Sequence, residues 1–299
     1  MNVALCVCTR NRSEDLALAL EAVSQSSFAP AQIIVSDDSD EAQAAQTQQL
    51  CASMASVTYV RGPRRGLSAN RNCCLQNLDA DIEAVAYIDD DVIIRPEFLE
   101  EAAKALSQSP PKTIVTGREN RDGVILTPHN CSFWGYQEVP PSDENDYHTI
   151  AINTTLFPRQ LFQQARFDEA LRYGSEEADM CAQAEAIEYR IRFCPEMIND
   201  HYPSPVNRNE YARFTEASRL YSTYKRYRWL ERNILKSNKF AVLAPPYLLA
   251  SLVKARKFQY LISALTSIRL AFKFVQAEAH NRRSSIKSAM TEKLASHCQ

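Results

Sequence analysis

Three consecutive carboxylates, Asp89-Asp90-Asp91, follow the apolar stretch Ala84-Val85-Ala86-Tyr87-Ile88 and precede Val92-Ile93-Ile94. Acids crowded at the end of a buried strand repel one another, and a divalent cation offsets that repulsion. Mg²⁺ or Mn²⁺ takes one or two carboxylates and completes its shell with phosphate oxygens and water, so the triplet points to chemistry on a phosphorylated substrate. Asp37-Asp38 end a second apolar run, Ile33-Ile34-Val35. A carboxylate fixed there suits either a turn or the imide N–H of a nucleotide base. Residues 61–72 combine Gly62 and Gly66 with Arg61, Arg64, Arg65 and Arg71 at an anticipated helix start. That composition favours phosphate, although the Lys-Ser/Thr ending of a P-loop is missing. Glu176-Glu177 follow Tyr173-Gly174-Ser175 at another anticipated helix start, and either carboxylate could act as a general base toward a hydroxyl. His201, in Asn199-Asp200-His201-Tyr202-Pro203, is of the side-chain type that most often ligates transition metals.

The elements that must hold these groups alternate over the first 110 or so residues. Apolar runs at 3–8, 33–35, 57–60 and 84–88 read as buried strands. Between them, Leu16, Leu20 and Val23 recur at helical spacing, residues 66–78 enter a helix, and Pro96 opens one reaching about Leu106. Alternation of this kind implies an α/β fold, with a mostly parallel central sheet and helices on both faces. Polar clusters at Thr9, Asp37 and Asp89 each end a strand, and open parallel sheets bind ligands beyond those ends. Later segments are less regular: short strand-like runs at 113–116, 124–126 and 150–152, a helix over 176–188 and a strand over 190–194.

The 299 residues are 45% hydrophobic and 23% charged, an ordinary globular balance. The net charge of −2 conceals an asymmetry. Residues 206–299 carry 18 Lys and Arg against 5 Asp and Glu, and the rest of the chain is correspondingly acidic. An acidic front does not suit nucleic acid, whereas a basic tail suits an anionic surface. The nine cysteines form no paired Cys-x-x-Cys knuckles, which argues against a zinc site or a disulfide framework and for the reducing cytoplasm. Neither a signal peptide nor a spanning helix is expected.

Taken in order, these segments resemble family-2 glycosyltransferases of the GT-A (nucleotide-diphospho-sugar transferase-like) fold. The resemblance covers roughly residues 3–203 and implies a transferase domain at 1–205; residues 206–299 lie outside it and read, from charge and periodicity, as a basic, amphipathic helical region. Thr9-Arg10-Asn11-Arg12 resembles the family's opening turn, and Asp37-Asp38-Ser39 its nucleotide-binding strand end. Gly66 to Asn72 is similar to its Gly-x-x-x-Ala-Arg-Asn helix entry, one residue shorter, and the Asp triplet resembles its Asp-x-Asp motif. Phe167-Asp168-Glu169 with Glu176-Glu177 resembles the segment before the acceptor site. The resemblance implies that Thr9, Arg10, Asn11, Arg12, Asp38, Arg71, Asp89 and Asp90 bind a nucleotide diphosphate-sugar, by default a UDP-sugar. It implies Mn²⁺ or Mg²⁺ on Asp89, Asp91 and His201, and Glu177 as base in an inverting transfer to a glycan or lipid-linked acceptor, in polysaccharide or glycolipid synthesis. Glu177 stands where the family usually carries Asp, and Glu176 is the alternative base. Arg10 replaces a frequent aromatic residue.

The tail alternates Tyr221, Tyr224, Tyr227 and Trp229 with Arg219, Lys225, Arg226 and Arg228. Further on, Phe258, Leu261, Ile262, Leu265, Ile268, Phe272 and Val275 recur at helical spacing among Lys254, Arg256, Lys257, Arg269 and Lys273. A basic amphipathic helix reads as peripheral membrane contact at the cytoplasmic face, or as a packing or dimer face. Pro245-Pro246 are expected to break the helix that contains them. Three rivals fare worse. A haloacid-dehalogenase-type phosphatase needs its second acidic pair after the triplet, not before it. A nucleotidyltransferase on a similar sheet needs a Gly-rich, Lys-containing first loop. Intact Asp89, Asp91 and Glu177 oppose a nucleotide-sugar-binding pseudoenzyme or membrane scaffold.

Overall fold

Every residue of β1 (Val3–Thr9) is buried, yet its side chains alternate between two separate cores. Val3, Leu5 and Val7 face one layer of helices, while Ala4, Cys6 and Cys8 face the other. A strand covered on both faces needs apolar residues at every position, which is why the sequence shows a continuous run. The computed structural model describes residues 1–203 and 208–296. Beside β1 lie β2 (Gln32–Asp37) and β4 (Ala84–Asp89), with β3 (Val57–Arg61) outermost, all parallel. Helices α1 (Ser13–Ser24) and α2 (Glu41–Ala52) connect the first strands, and α3 (Leu67–Gln76) precedes β4. The register sets Thr9 against Asp37 and Cys8 against Asp89, so three polar strand ends converge on one edge.

After the aspartates the chain turns into β5 (Val92–Ile94), then α4 (Phe98–Ser107), β6 (Thr113–Arg121) and β7 (Val124–Leu126). A small hairpin follows, β8 (Asn130–Cys131) with β9 (Gln137–Val139), and then β10 (Thr155–Pro158), α5 (Glu176–Ala186) and β11 (Arg190–His201). The sheet order is β3-β2-β1-β4-β10-β6-β11-β5, with β7 hairpinned onto β6. Helix α4 begins two residues beyond Pro96. The strand anticipated at 150–152 is instead a 3₁₀ turn beginning at Ile152, and the strand starts at Thr155. Side chains have replaced the ladder there: Thr116 Oγ1 accepts from the Ala151 amide at 3.2 Å, and Thr155 Oγ1 donates to the Ala151 carbonyl at 2.6 Å.

The C-terminal helices α6 (Arg208–Lys225), α7 (Ile234–Lys254) and α8 (Leu261–Ser296) share a third core around Ala217, Tyr221, Tyr227, Phe240 and Leu248. Tyr221 and Tyr227, read from the sequence as part of an interfacial pattern, are thus interior residues. The proline pair does not break α7. Phe240, Ala244 and Leu248, four residues apart, bury one continuous stripe through Pro245-Pro246, and that packing offsets a local cost of about 3 kcal/mol per proline. Among the described residues, no helix is long and apolar enough to cross a membrane.

Candidate active site

Strand register explains how residues far apart in sequence meet. His201 pairs with Val92 on β5 and with Arg121 on β6, and the Tyr202 amide donates to the Asp91 carbonyl at 3.0 Å. The His201 ring therefore lies beside the triplet, with Nε2 3.3 Å from Asp91 Oδ1 and Nδ1 3.0 Å from Glu119 Oε2. Burial disfavours the charged ring, but Asp91 and Glu119 override it and push the His201 pKa up to about 10. Glu119 is held below its ordinary value: burial opposes this, but His201, Asn153 and Arg121 prevail. Asn153 then links the cluster to the triplet, donating to Glu119 Oε1 at 2.9 Å and accepting from the Asp89 amide at 2.9 Å. Glu119 and Asn153 were missed in the sequence. Glu119 lies beyond the apolar run at 113–116 in the polar Arg118-Glu119-Asn120-Arg121, the one signal there was.

The three aspartates have separate environments. Asp90 is fully buried; its Oδ2 accepts from Thr9 Oγ1 at 2.6 Å and its Oδ1 is ion-paired with Arg12 Nη2 at 2.6 Å. Arg12 also reaches Asp91 Oδ2 through Nη1 at 2.9 Å, so one guanidinium ties two members of the triplet to the loop after β1. Asp89 keeps about a quarter of its side chain exposed, with Oδ1 3.4 Å from Arg71 Nη2. Thr9, Arg12 and Asp90 are therefore engaged with one another beneath the edge, whereas Asp89 and Arg71 line a cleft of about 630 Å³.

Glu119, Glu176, Glu177 and His201 line that same cleft. Arg71, on α3, is almost completely buried beneath it, 3.6 Å from Glu176 Oε1. Burial works against the Arg71 charge, but Asp89, Glu176 and Glu177 overcome it and hold its pKa above the ordinary value. Glu177 is pushed from 4.5 up to about 8, first by loss of hydration and then by the charges of Glu176, Glu119 and Asp89, with Arg71 pulling the other way. Glu176 is also raised, mainly by burial. Ser175, in the left-handed region at φ 65°, makes the corner from which α5 presents both acids.

At the other end of the edge, Asp38 Oδ1 accepts from the Arg64 amide at 2.8 Å. Burial raises the Asp38 pKa, against the amides of Arg64 and Gly66 and the nearby Arg10 charge. A Cβ on Gly62 would stand 2.3 Å from Asp38 Oδ1, so only glycine lets the loop approach this carboxylate. Asn11 fixes the facing turn, donating its amide to Ser39 Oγ at 2.6 Å and accepting from the Asp40 amide at 3.0 Å.

The donor chemistry of this edge fits a divalent cation completed by phosphate oxygens. Asp91 and His201 bring a carboxylate and an imidazole to one point, with Asp89 on the cleft side. Paired through both nitrogens, His201 is held here as an imidazolium; a cation on Asp91 would take the place of the Nε2 proton, and the Glu119 contact at Nδ1 would then orient the ring as the carboxylate beyond a metal-bound histidine does. Among the described residues no group of three or more His, Cys, Asp or Glu is placed so as to hold a metal ion by itself. Mn²⁺ or Mg²⁺ held with substrate phosphates does not need one.

Residues 4–166 match the family described as Glycosyl transferase family 2. Among solved structures, the chain is similar to S. aureus TarS 1-349, at 15% identity and a TM-score of 0.55, over 94% of this chain and 92% of that one. It is similar to the mannosyltransferase PcManGT from Pyrobaculum calidifontis in complex with GDP-Man and Mn²⁺, at 14% identity and a TM-score of 0.57, over 92% and 87%. GalNAc-T7 with UDP, GalNAc and Mn²⁺ matches at 13% identity and a TM-score of 0.61, over 76% of this chain and 47% of that one. At these identities the likeness speaks to the fold. No curated protein matches by sequence.

Proposed function

The chain belongs to glycosyl transferase family 2 and is a glycosyltransferase of GT-A fold, and from that premise we propose that it is a metal-dependent, inverting enzyme acting on a nucleotide diphosphate-sugar. The observation that carries the proposal is the single cleft lined by Arg71, Asp89, Glu119, Glu177 and His201, which come from four separate strands and helices and from the strand end at Asp89. Asp38 receives the base, and the turn at Arg10 and Asn11 lies beside it. Thr9, Arg12 and Asp90 hold the triplet in shape. Asp91 and His201, with Asp89, would hold Mn²⁺ or Mg²⁺. When bound, that ion supplies positive charge to the departing diphosphate.

Glu177 takes the proton from an acceptor hydroxyl. The hydroxyl oxygen forms a bond to the anomeric carbon as the bond to the diphosphate oxygen breaks, and one displacement inverts the configuration. A base raised to about 8 is well matched to this task near neutral pH. Arg71, held charged under Asp89 and Glu176, keeps the four cleft acids from expelling an anionic donor. The neighbours crystallised with GDP-Man, UDP and Mn²⁺ support this class of donor and metal, with a UDP-sugar as the default.

The acceptor is a glycan or a lipid-linked hydroxyl, and the setting is the cytoplasm, at the face of a membrane. Leu235, Val242, Ile262 and Phe272 are each more than 60% exposed on α7 and α8, and Lys254, Arg256, Lys257, Arg269 and Lys273 are exposed around them. Apolar side chains ringed by bases suit an anionic bilayer surface. Flotation with phosphatidylglycerol vesicles tests this, and failure to float at low salt refutes it. For the reaction, a thermal-shift screen of nucleoside diphosphates with and without Mn²⁺, followed by turnover of matching sugar donors, is decisive. Stabilisation by a diphosphate that requires Mn²⁺ supports the proposal; indifference to every nucleotide overturns it.

A further inference from the structure

Helix α6 lies outside the part of the chain matched to the family, yet one of its faces runs along the loop that delivers Glu177. Phe214 stacks against Arg172, with the guanidinium carbon 5.5 Å from the ring centre, and the Ser218 hydroxyl donates to the Tyr173 carbonyl at 2.9 Å. Tyr221 donates to Asp168 Oδ2 at 2.7 Å, and Lys225 Nζ donates to Asp168 Oδ2 at 2.7 Å and to Asp179 Oδ2 at 2.8 Å. Positions 214, 218, 221 and 225 recur at helical spacing, so this contact is one stripe. From the opposite side, α3 holds the same loop through Ser68 to the Leu171 carbonyl and Asn72 to the Phe167 carbonyl.

Asp179 stands two residues after Glu177 in the first turn of α5, so the two side chains leave the helix on roughly opposite sides. Anchoring Asp179 inward therefore turns Glu177 toward the cleft. We propose that Lys225 is a positioning residue for the base: bonded to Asp168 at the start of the loop and to Asp179 beyond its end, it clamps the segment that carries Glu177. This rests on Glu177 being the base. It makes the C-terminal helix part of the active site's framework rather than an appendage.

Lys225→Met alone leaves the buried Asp179 and the partly buried Asp168 without their cation and can unfold the protein. The test variant is therefore Lys225→Met with Asp168→Asn and Asp179→Asn, which removes all three charges together. Tyr221→Phe, which deletes one neutral donor, is the milder companion. The readout is hydrolysis of a UDP- or GDP-sugar panel with Mn²⁺, as kcat and donor KM against pH, beside Glu177→Gln. The expected triple variant keeps the donor KM within about threefold while kcat falls on the order of 10²-fold, the scale of a misplacement near 1 Å. Its acid limb shifts, and Tyr221→Phe shows the same signature in weaker form. A kcat near wild type in both variants, or a loss carried equally by KM with an unmoved limb, overturns the clamp. Full activity in Glu177→Gln would instead remove the base assignment itself, so the two failures are distinguishable.

Discussion

A base held far from its ordinary pKa must cost the fold something, and here the cost can be worked out. Glu177 titrates near 4.5 when solvated and at about 8 in the folded cleft. Below pH 4.5 both states are protonated and the environment carries no penalty. As pH rises, the unfolded chain releases the proton while the folded chain retains it, so stability falls until the pH passes the folded value. At about 1.4 kcal/mol per pKa unit, the loss is at most about 3 kcal/mol at pH 7 and about 5 kcal/mol above pH 8. Glu177→Gln keeps the shape of the side chain and cannot ionise. It should match wild type at pH 4.5 and exceed it at pH 9, by roughly 5–10 °C in Tm for a chain of this size. Thermal unfolding of both proteins at pH 4.5, 7 and 9 measures this. A difference that does not vary with pH, or a variant less stable at pH 9, would refute the reasoning.

Arg12→Met should lower stability increasingly as pH rises through about 8, because burial already pushes the Asp90 pKa up to about 8 and the substitution removes the cation 2.6 Å away that favours its ionised form; chemical denaturation at pH 6 and pH 9 checks this. Gly62→Ala should weaken nucleotide diphosphate binding by about tenfold or more and lower Tm as well, since the new Cβ would stand 2.3 Å from Asp38 Oδ1, 2.5 Å from the buried Asn70 Oδ1 and 3.0 Å from the Asp37 backbone; calorimetric titration and thermal unfolding measure the two effects. Removing divalent cations with EDTA should abolish sugar transfer, and Mn²⁺ should restore it. Asp91→Asn and His201→Ala should each need more Mn²⁺ for half-recovery, by about 10–100-fold.

What could be read from the sequence, and what could not, follows from the range of the interactions. The strands at β1, β2 and β4 were legible because double-sided burial forces unbroken apolar runs, and polar residues at their ends mark the edge where parallel strands stop. Arg71, Asp89, Glu176, Glu177 and His201 stood out for the same local reasons, and the structure brings them round one cleft. Glu119 and Asn153 did not stand out, because they meet His201 and Asp89 only through the pairing of β6 with β11 and the turn before β10, both non-local. The engagement of Arg12 with Asp90 spans 78 positions and leaves no periodic signature. Pro245-Pro246 misled in the opposite sense, since a local rule was overridden by the stripe of Phe240, Ala244 and Leu248. Lys225 resembled any basic residue of the tail until Asp168 and Asp179 were seen to enclose it.

The account depends on Glu177 facing a cation-bound donor across the scissile bond. Its most direct test is the transfer rate of Glu177→Gln at saturating donor and Mn²⁺, measured with the donor dissociation constant on the same preparation. Loss of rate by about 10²–10⁴-fold with donor affinity retained is the predicted result. A variant that binds donor and Mn²⁺ as wild type does and transfers at the full rate would contradict it.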